Sequence, residues 1–474
     1  MLTQLLVLTV LFSYAQSVQS QSDPWTAVPA ILSSIKSPVF PKRDFNVTKY
    51  GARGNGKTDC SAAIRNAIQA CSKAGGGRVI VPAGKYLTGP IYLKSNVNLY
   101  LSRDAILLFS TRPADYLPVV PTRWEGVDVM NYSPLVYAYG EKNIALTGEG
   151  TLDGQASSEN WWPWKGKKEY GFKAGNPSQV DTLNRPSLFA MAEMDVPHQK
   201  RIFGDGHYLR PQFLQPYKCE NVLIEGVKIM RSPMWVINPV LCTNVTIKGV
   251  RVESDGPNND GCDPESCKNV LIKNCFFNTG DDCIALKSGR NRDGRRINIP
   301  CENVLIQDCT MANGHGGIVI GSEISGGVKN VFAENCRMNS PELDRVLRVK
   351  TSSARGGITE NIFLRNISVG RVKQEAILLT MFYEDTGKFM PSIRNIQVDG
   401  MQVENGGNVG IVVEGYKSHP IESLKLSNVT ISNVKKPYTI ANLKGLALDN
   451  VLINGNKLIA DAVNITSEEK NLHW

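Results

Sequence analysis

The sequence predicts an all-β chain: a single-stranded right-handed parallel β-helix with one helix capping its N-terminal end. Three observations carry that expectation. A strand-like phrase recurs along the chain, helical periodicity is nearly absent between its copies, and one amphipathic helix stands ahead of the first of them.

The phrase is an asparagine followed by alternating apolar and polar residues. It reads Asn221-Val-Leu-Ile, Asn244-Val-Thr-Ile, Asn269-Val-Leu-Ile, Asn303-Val-Leu-Ile, Asn330-Val-Phe-Ala, Asn361-Ile-Phe-Leu and Asn395-Ile-Gln-Val, with a weaker copy at Asn143-Ile-Ala-Leu. From Asn221 onward successive copies start 23–34 residues apart, a period that signals a solenoid. Each copy is β-branched with period two, the pattern of a strand. Leucine-rich repeats would need a leucine framework and helices, and propeller blades would be longer. Stacked coils satisfy each strand's backbone from the coils above and below, with the asparagines expected to stack at the turns, and leave ends that need caps. The helix supplies one cap. Asp59 is placed to start it, Ala62, Ile64, Ala67, Ile68 and Cys71 give it an apolar face, and Gly75, Gly76 and Gly77 end it.

Domain organisation follows. Residues 1–20 read as a secretory signal peptide, with an apolar run from Leu5 to Phe12 and small residues after it, though no Lys or Arg precedes the run. The alternative is a buried N-terminal strand. Residues 21–44 form an extension and 45–474 the solenoid. Residues 161–215 lack the repeat, are rich in Trp, Pro and charge, and read as an insertion on one face, where long loops carry function. A secreted or periplasmic monomer is expected.

The net charge of +9 favours encounter with a polyanion. The basic residues are scattered rather than blocked, which argues against nucleic acid, and no later segment is apolar enough to span a membrane. For an exported chain an acidic polysaccharide is the natural partner. The 11 cysteines recur beside the repeat without zinc spacing, so they read as a buried stack of small side chains rather than a disulfide framework.

Four segments carry chemistry: Gly256–Asp263 with Asn258 and Asp260, Thr279–Cys283 with Asp281 and Asp282, Gly314–Gly317 with His315, and Arg348–Lys350. Residues one coil apart stack, so Asp260 and the Asp281–Asp282 pair should share a face. Glycosidic cleavage needs one protonated carboxyl and one carboxylate, and crowded like charges push their pKa values apart. Taken singly, Asp281-Asp282 reads as a turn and Gly-His-Gly as a tight bend; four such segments in order on one solenoid read as a site.

These motifs resemble glycoside hydrolase family 28, the polygalacturonases, whose pattern is Asn-Thr-Asp, Gly-Asp-Asp-Cys, Gly-His-Gly and Arg-Ile-Lys. Here they stand as Asn258-Asn259-Asp260, Gly280-Asp281-Asp282-Cys283, Gly314-His315-Gly316 and Arg348-Val349-Lys350. Asn46–Ala52 and Gly89–Ser95 extend the resemblance over the mature chain. It implies that Asp281 is the general acid, that Asp260 and Asp282 activate water, and that His315 supports the acid. Arg348 and Lys350 would clamp a galacturonate carboxylate, with Asn258 and Tyr383 lining the cleft. It implies inversion, with acid and base about 6.5–9.5 Å apart, and no metal or organic cofactor. Arg348 favours galacturonate over the rhamnose of a rhamnogalacturonan hydrolase. Arg290, Arg295 and Arg296 add cations just after the acids, as in the bacterial exo-acting branch, so exo action is expected, with endo action the alternative. From other classes, a Ca²⁺-dependent pectate lyase or a carbohydrate-binding β-helix remains open, although neither gives His315 a role.

Overall fold

The computed structural model describes residues 23–467; the expected signal peptide lies outside them. The chain is a right-handed parallel β-helix. Its longest sheet has 23 strands. The register aligns the repeat copies: Leu99 pairs with Leu146, then Ile224, Ile247, Ile272, Ile306, Ala333, Leu364, Val398 and Leu426 follow in line. The apolar partners form a continuous buried stack. Period-two alternation sends the intervening residues outward.

The repeated asparagines form a ladder. From Asn96 to Asn395 each adopts a left-handed conformation, φ 53–64°, which Asn tolerates better than other side-chain-bearing residues. Each amide donates to the Asn in the preceding coil, from Asn143 on Asn96 at 3.0 Å to Asn395 on Asn361 at 2.7 Å. The cysteines are all buried and free. Several direct Sγ at backbone carbonyls, as Cys242 does to Pro216 and Val240.

A second line of strands carries the site. Ile91, Val136, Leu214, Ile237, Cys262, Ile284, Ile318, Leu347, Ile377 and Ile411 pair in succession.

Three details differ from expectation. Helix α2 spans Ser61–Lys73 (α1, Val28–Ser34, precedes it) and buries Ala63 rather than Ala62. Asp59 accepts from the Ser61 N–H one residue ahead of the helix cap. The insertion does not stand alone. An antiparallel hairpin, Val120–Trp124 with Val127–Asn131, packs against it. Trp124, Val127 and Val129 share a core with Leu188 and Ala192 of α3 (Arg185–Glu193), with Phe203 and with Trp235. Leu214 and Gln215, assigned to the insertion's end, already belong to a coil strand, Leu214–Tyr217. The N-terminal extension is a strap. Trp25, Val28 and Ile31 cover the outward-facing Leu305, Phe332 and Phe363, and Arg365 stacks 3.9 Å over Trp25.

Candidate active site

The backbone ladder sets the acids in register. Gly261 N–H donates to Asp282 C=O and Cys283 N–H to Gly316 C=O, so Asp260, Asp282 and the Gly-His-Gly bend sit on successive coils. Gly314 runs at φ +151°, where a Cβ would lie 2.4 Å from the Asp281 carbonyl oxygen, so the bend needs glycine there.

Asp260, Asp281 and Asp282 each bring one oxygen within 4.8 Å of the others. That is tighter than the 6.5–9.5 Å implied by resemblance, because adjacent coils stack directly. Each carboxylate has its own cation. His315 Nδ1 lies 2.9 Å from Asp281, Lys350 Nζ 2.7 Å and Arg348 Nη1 3.4 Å from Asp282, and Lys287 Nζ 3.4 Å from Asp260. The Tyr383 ring faces both clamp cations, 5.4 Å from Arg348 and 5.1 Å from Lys350. Asn258 Oδ1 accepts from Lys165 at 2.7 Å and Arg210 at 2.9 Å.

These contacts divide the protons. Burial and the neighbouring Asp281 charge push Asp260 up to about 7. Burial works the same way on Asp281, but the His315 hydrogen bond and charge, with Lys350 and Lys287, outweigh it and hold Asp281 below the ordinary carboxylate range. The same hydrogen bond raises His315 against the opposing effect of burial. Of Asp260 and Asp281, Asp260 therefore takes up a proton first as pH falls, while Asp281 stays an anion hydrogen-bonded to His315.

A cavity of about 250 Å³ opens above the trio. Its floor carries Asp260, Asp281, His315, Arg348, Lys350, Tyr383 and Asn258. Glu125 from the hairpin turn and Lys165 and Arg185 from the insertion also line it, so the insertion contributes to the cavity. A larger cavity of about 680 Å³ lies between α2 and residues 110–120; there Asp115 is tied to Arg112, and none of the four motifs contributes.

The three later arginines do not form a free clamp. Arg290 is buried, paired to Glu323 at 3.4 Å and Glu384 at 3.1 Å, and stacked on Phe189. Arg295 donates to Ala354 C=O and stacks on Phe389. Arg296 pairs with Asp293 and, at longer range, with Asp195 and Asp128. Arg295 and Arg296 lie on α4 (Asn291–Ile297), and none of the three lines the cavity. Acids hold Arg290 and Arg296, while a backbone carbonyl and an aromatic ring hold Arg295. Conversely, Lys287, Glu323, Glu125, Lys165 and Trp235 line the site without having been singled out as site residues. Lys287 left a trace, a lysine ending the apolar run Ile284-Ala-Leu directly after the acid motif. Glu125 left none, since the hairpin that presents it follows no repeat.

A parallel β-helix bearing a carboxylate trio, a histidine on one acid and a cationic clamp defines a glycoside hydrolase site. The sequence pattern of Glycosyl hydrolases family 28 matches residues 200–451, more than half the chain. The chain belongs to that family. Residues 45–100 also match the pattern of Rhamnogalacturonase A/epimerase, pectate lyase-like proteins. Over 424 residues the chain is 29% identical to a probable polygalacturonase of Vitis vinifera, covering 85% of this chain and 78% of that one. It is 28% identical over 447 residues to an exo-poly-alpha-D-galacturonosidase of Dickeya chrysanthemi, covering 86% and 70%. The crystal structure of a hyperthermoactive exopolygalacturonase from Thermotoga maritima superposes with a TM-score of 0.89 at 46% identity, over 91% of this chain and 96% of that one.

Proposed function

We propose that the protein hydrolyses the α-1,4-galacturonosidic bonds of polygalacturonate from a chain end. The observation that carries this reading is one cavity lined by Asp260 and Asp281 together with four cationic side chains, Arg348, Lys350, Lys165 and Arg185. Such a lining suits a polymer with a carboxylate on every sugar, and an Arg fork suits a carboxylate. The likeness to proteins named exo-poly-alpha-D-galacturonosidase and exopolygalacturonase supports the same reading.

In this mechanism Asp281 is the acid. Its side chain is 18% exposed, against 4% for Asp260 and 0% for Asp282. Approach of the substrate carboxylates raises its proton affinity, and His315 is placed to supply the proton. Asp281 then protonates the leaving oxygen as the bond to the anomeric carbon breaks. Water attacks that carbon and gives its proton to Asp260, which lines the cavity and acts as base once its own proton has gone to solvent. Asp282 steadies Lys350 and Arg348. Export through residues 1–20 would bring the enzyme to its polysaccharide.

The tight trio would also suit a Ca²⁺-dependent lyase, but each of its carboxylates already has a cationic or imidazole side chain of this chain within 3.4 Å. Digestion with a chelator present tests the choice. New reducing ends without ultraviolet absorbance are expected; an unsaturated product that vanishes with chelator would overturn the reading.

A further inference from the structure

Below the trio lies a fourth carboxyl that the mechanism does not use. Asp263 is fully buried, and neither of its oxygens accepts a hydrogen bond from an N–H or O–H donor. Its nearest cation is Lys287 Nζ at 3.6 Å. That ammonium is also 3.4 Å from Asp260 and 3.3 Å from Glu323, donates to Gly321 C=O at 3.3 Å, and sits 4.4 Å over the Trp235 ring.

The charges do not balance if all are ionised. Three buried carboxyls, Asp260, Asp263 and Glu323, face two buried cations, Lys287 and Arg290. Arg290 also serves Glu384 and Asp385. Glu323 lies between Lys287 and Arg290 and accepts from the Ser322 hydroxyl at 3.1 Å, so it keeps its charge. Asp281, Asp282 and Lys350 act on Asp260 from the next coils. An isolated buried carboxylate without donors is costly and takes a proton instead. Asp260 also lacks a hydrogen-bond donor but lines the cavity, whereas Asp263 has neither a donor nor a place in the cavity lining.

We propose that Asp263 works as a neutral carboxylic acid beneath the site, and that Lys287 is a positioning residue whose charge is thereby left to Asp260. The proposal rests on the reading of Asp260 as the base. Burial, with the Asp260 charge beside it, pushes Asp263 well above the ordinary range. A neutral Asp263 adds no repulsion to the base, and Lys287 keeps Asp260 ionisable within the working pH range.

The test is the pH dependence of kcat on polygalacturonate, whose acid limb reports the base in the bound complex. Asp263→Asn replaces one neutral group by another of nearly the same shape. Its acid limb is expected to coincide with the parent's, and its kcat to fall less than about threefold. If Asp263 carried a charge, Asp263→Asn would remove repulsion from Asp260 and move the limb to lower pH; that result overturns the proposal. Lys287→Met removes the cation, so the limb is expected to move up by about one unit or more while KM changes little. A raised KM with an unmoved limb would make Lys287 a substrate contact and refute the positioning role. Loss of all turnover in Asp260→Asn but not in Asp263→Asn keeps the base assignment separate from this one.

Discussion

The two sides of each coil solve opposite problems. On the long sheet, stacked positions repeat almost unchanged: aliphatic on aliphatic, asparagine on asparagine, each polar group satisfied by its copy in the next coil. On the site side, stacked positions carry Asp260 and Asp282, like charges on adjacent coils, and stability depends on Lys287, Lys350 and Arg348 brought in from elsewhere. Repetition is self-consistent where the repeated group is neutral and can both donate and accept. Where it is a carboxylate, repetition accumulates repulsion. Burial together with that repulsion pushes Asp260 up to about 7 and gives the site its acid–base capacity.

Breaking the charged side should cost most in activity. Asp281→Asn removes the acid without changing its shape, and turnover should fall about 10²–10⁴-fold with the thermal transition little changed. A near-normal rate would move the acid elsewhere in the trio. Lys350→Met leaves the fully buried Asp282 with Arg348 alone. It should lose about 3 kcal/mol of stability in denaturant unfolding as well as activity; an unchanged midpoint would mean that Asp282 finds another partner.

Breaking the neutral side should act on stability alone. Asn303→Ala removes two ladder bonds, to Asn269 and from Asn330, at a position with φ 57°. About 2 kcal/mol should be lost, with kcat unaltered. Asn303→Gly should lose less, because glycine accepts that φ without strain. Equal losses would show that the hydrogen bonds, not the backbone conformation, dominate.

The smallest effect sharpens the comparison. The Asp281–His315 pair stabilises the fold above the unfolded aspartate value of 3.8 and below the unfolded histidine value of 6.5. Its contribution fades as pH falls through the depressed Asp281 value or rises through the raised His315 value. An NMR titration of His315 should show it above 6.5, returning toward 6.5 in Asp281→Asn. A value independent of Asp281 would contradict the pairing.

The same contrast explains what was legible in the sequence. The solenoid was legible because each coil restates Asn-apolar-x-apolar, and Asn143, Asn221 and Asn303 fall into one ladder as their spacing implied. The four site motifs were legible because the acids fall on successive coils. The wall was not. Hairpin 120–131 and α3 meet through Trp124, Leu188 and Trp235, residues far apart in sequence that follow no period. Arg290, Arg295 and Arg296 misled because sequence displays a charge but not its partner: Glu323 and Glu384 hold Arg290, Asp293 holds Arg296, and Arg295 is tied to the Ala354 carbonyl and the Phe389 ring.

The central claim is that this wall closes the cavity, so that the acid trio meets only a chain end. It is tested most directly by separating the earliest products from long polygalacturonate while following viscosity. Monogalacturonate or digalacturonate should appear from the first time point while viscosity falls slowly. An early ladder of intermediate oligomers with a rapid fall in viscosity would show an open groove and contradict the account.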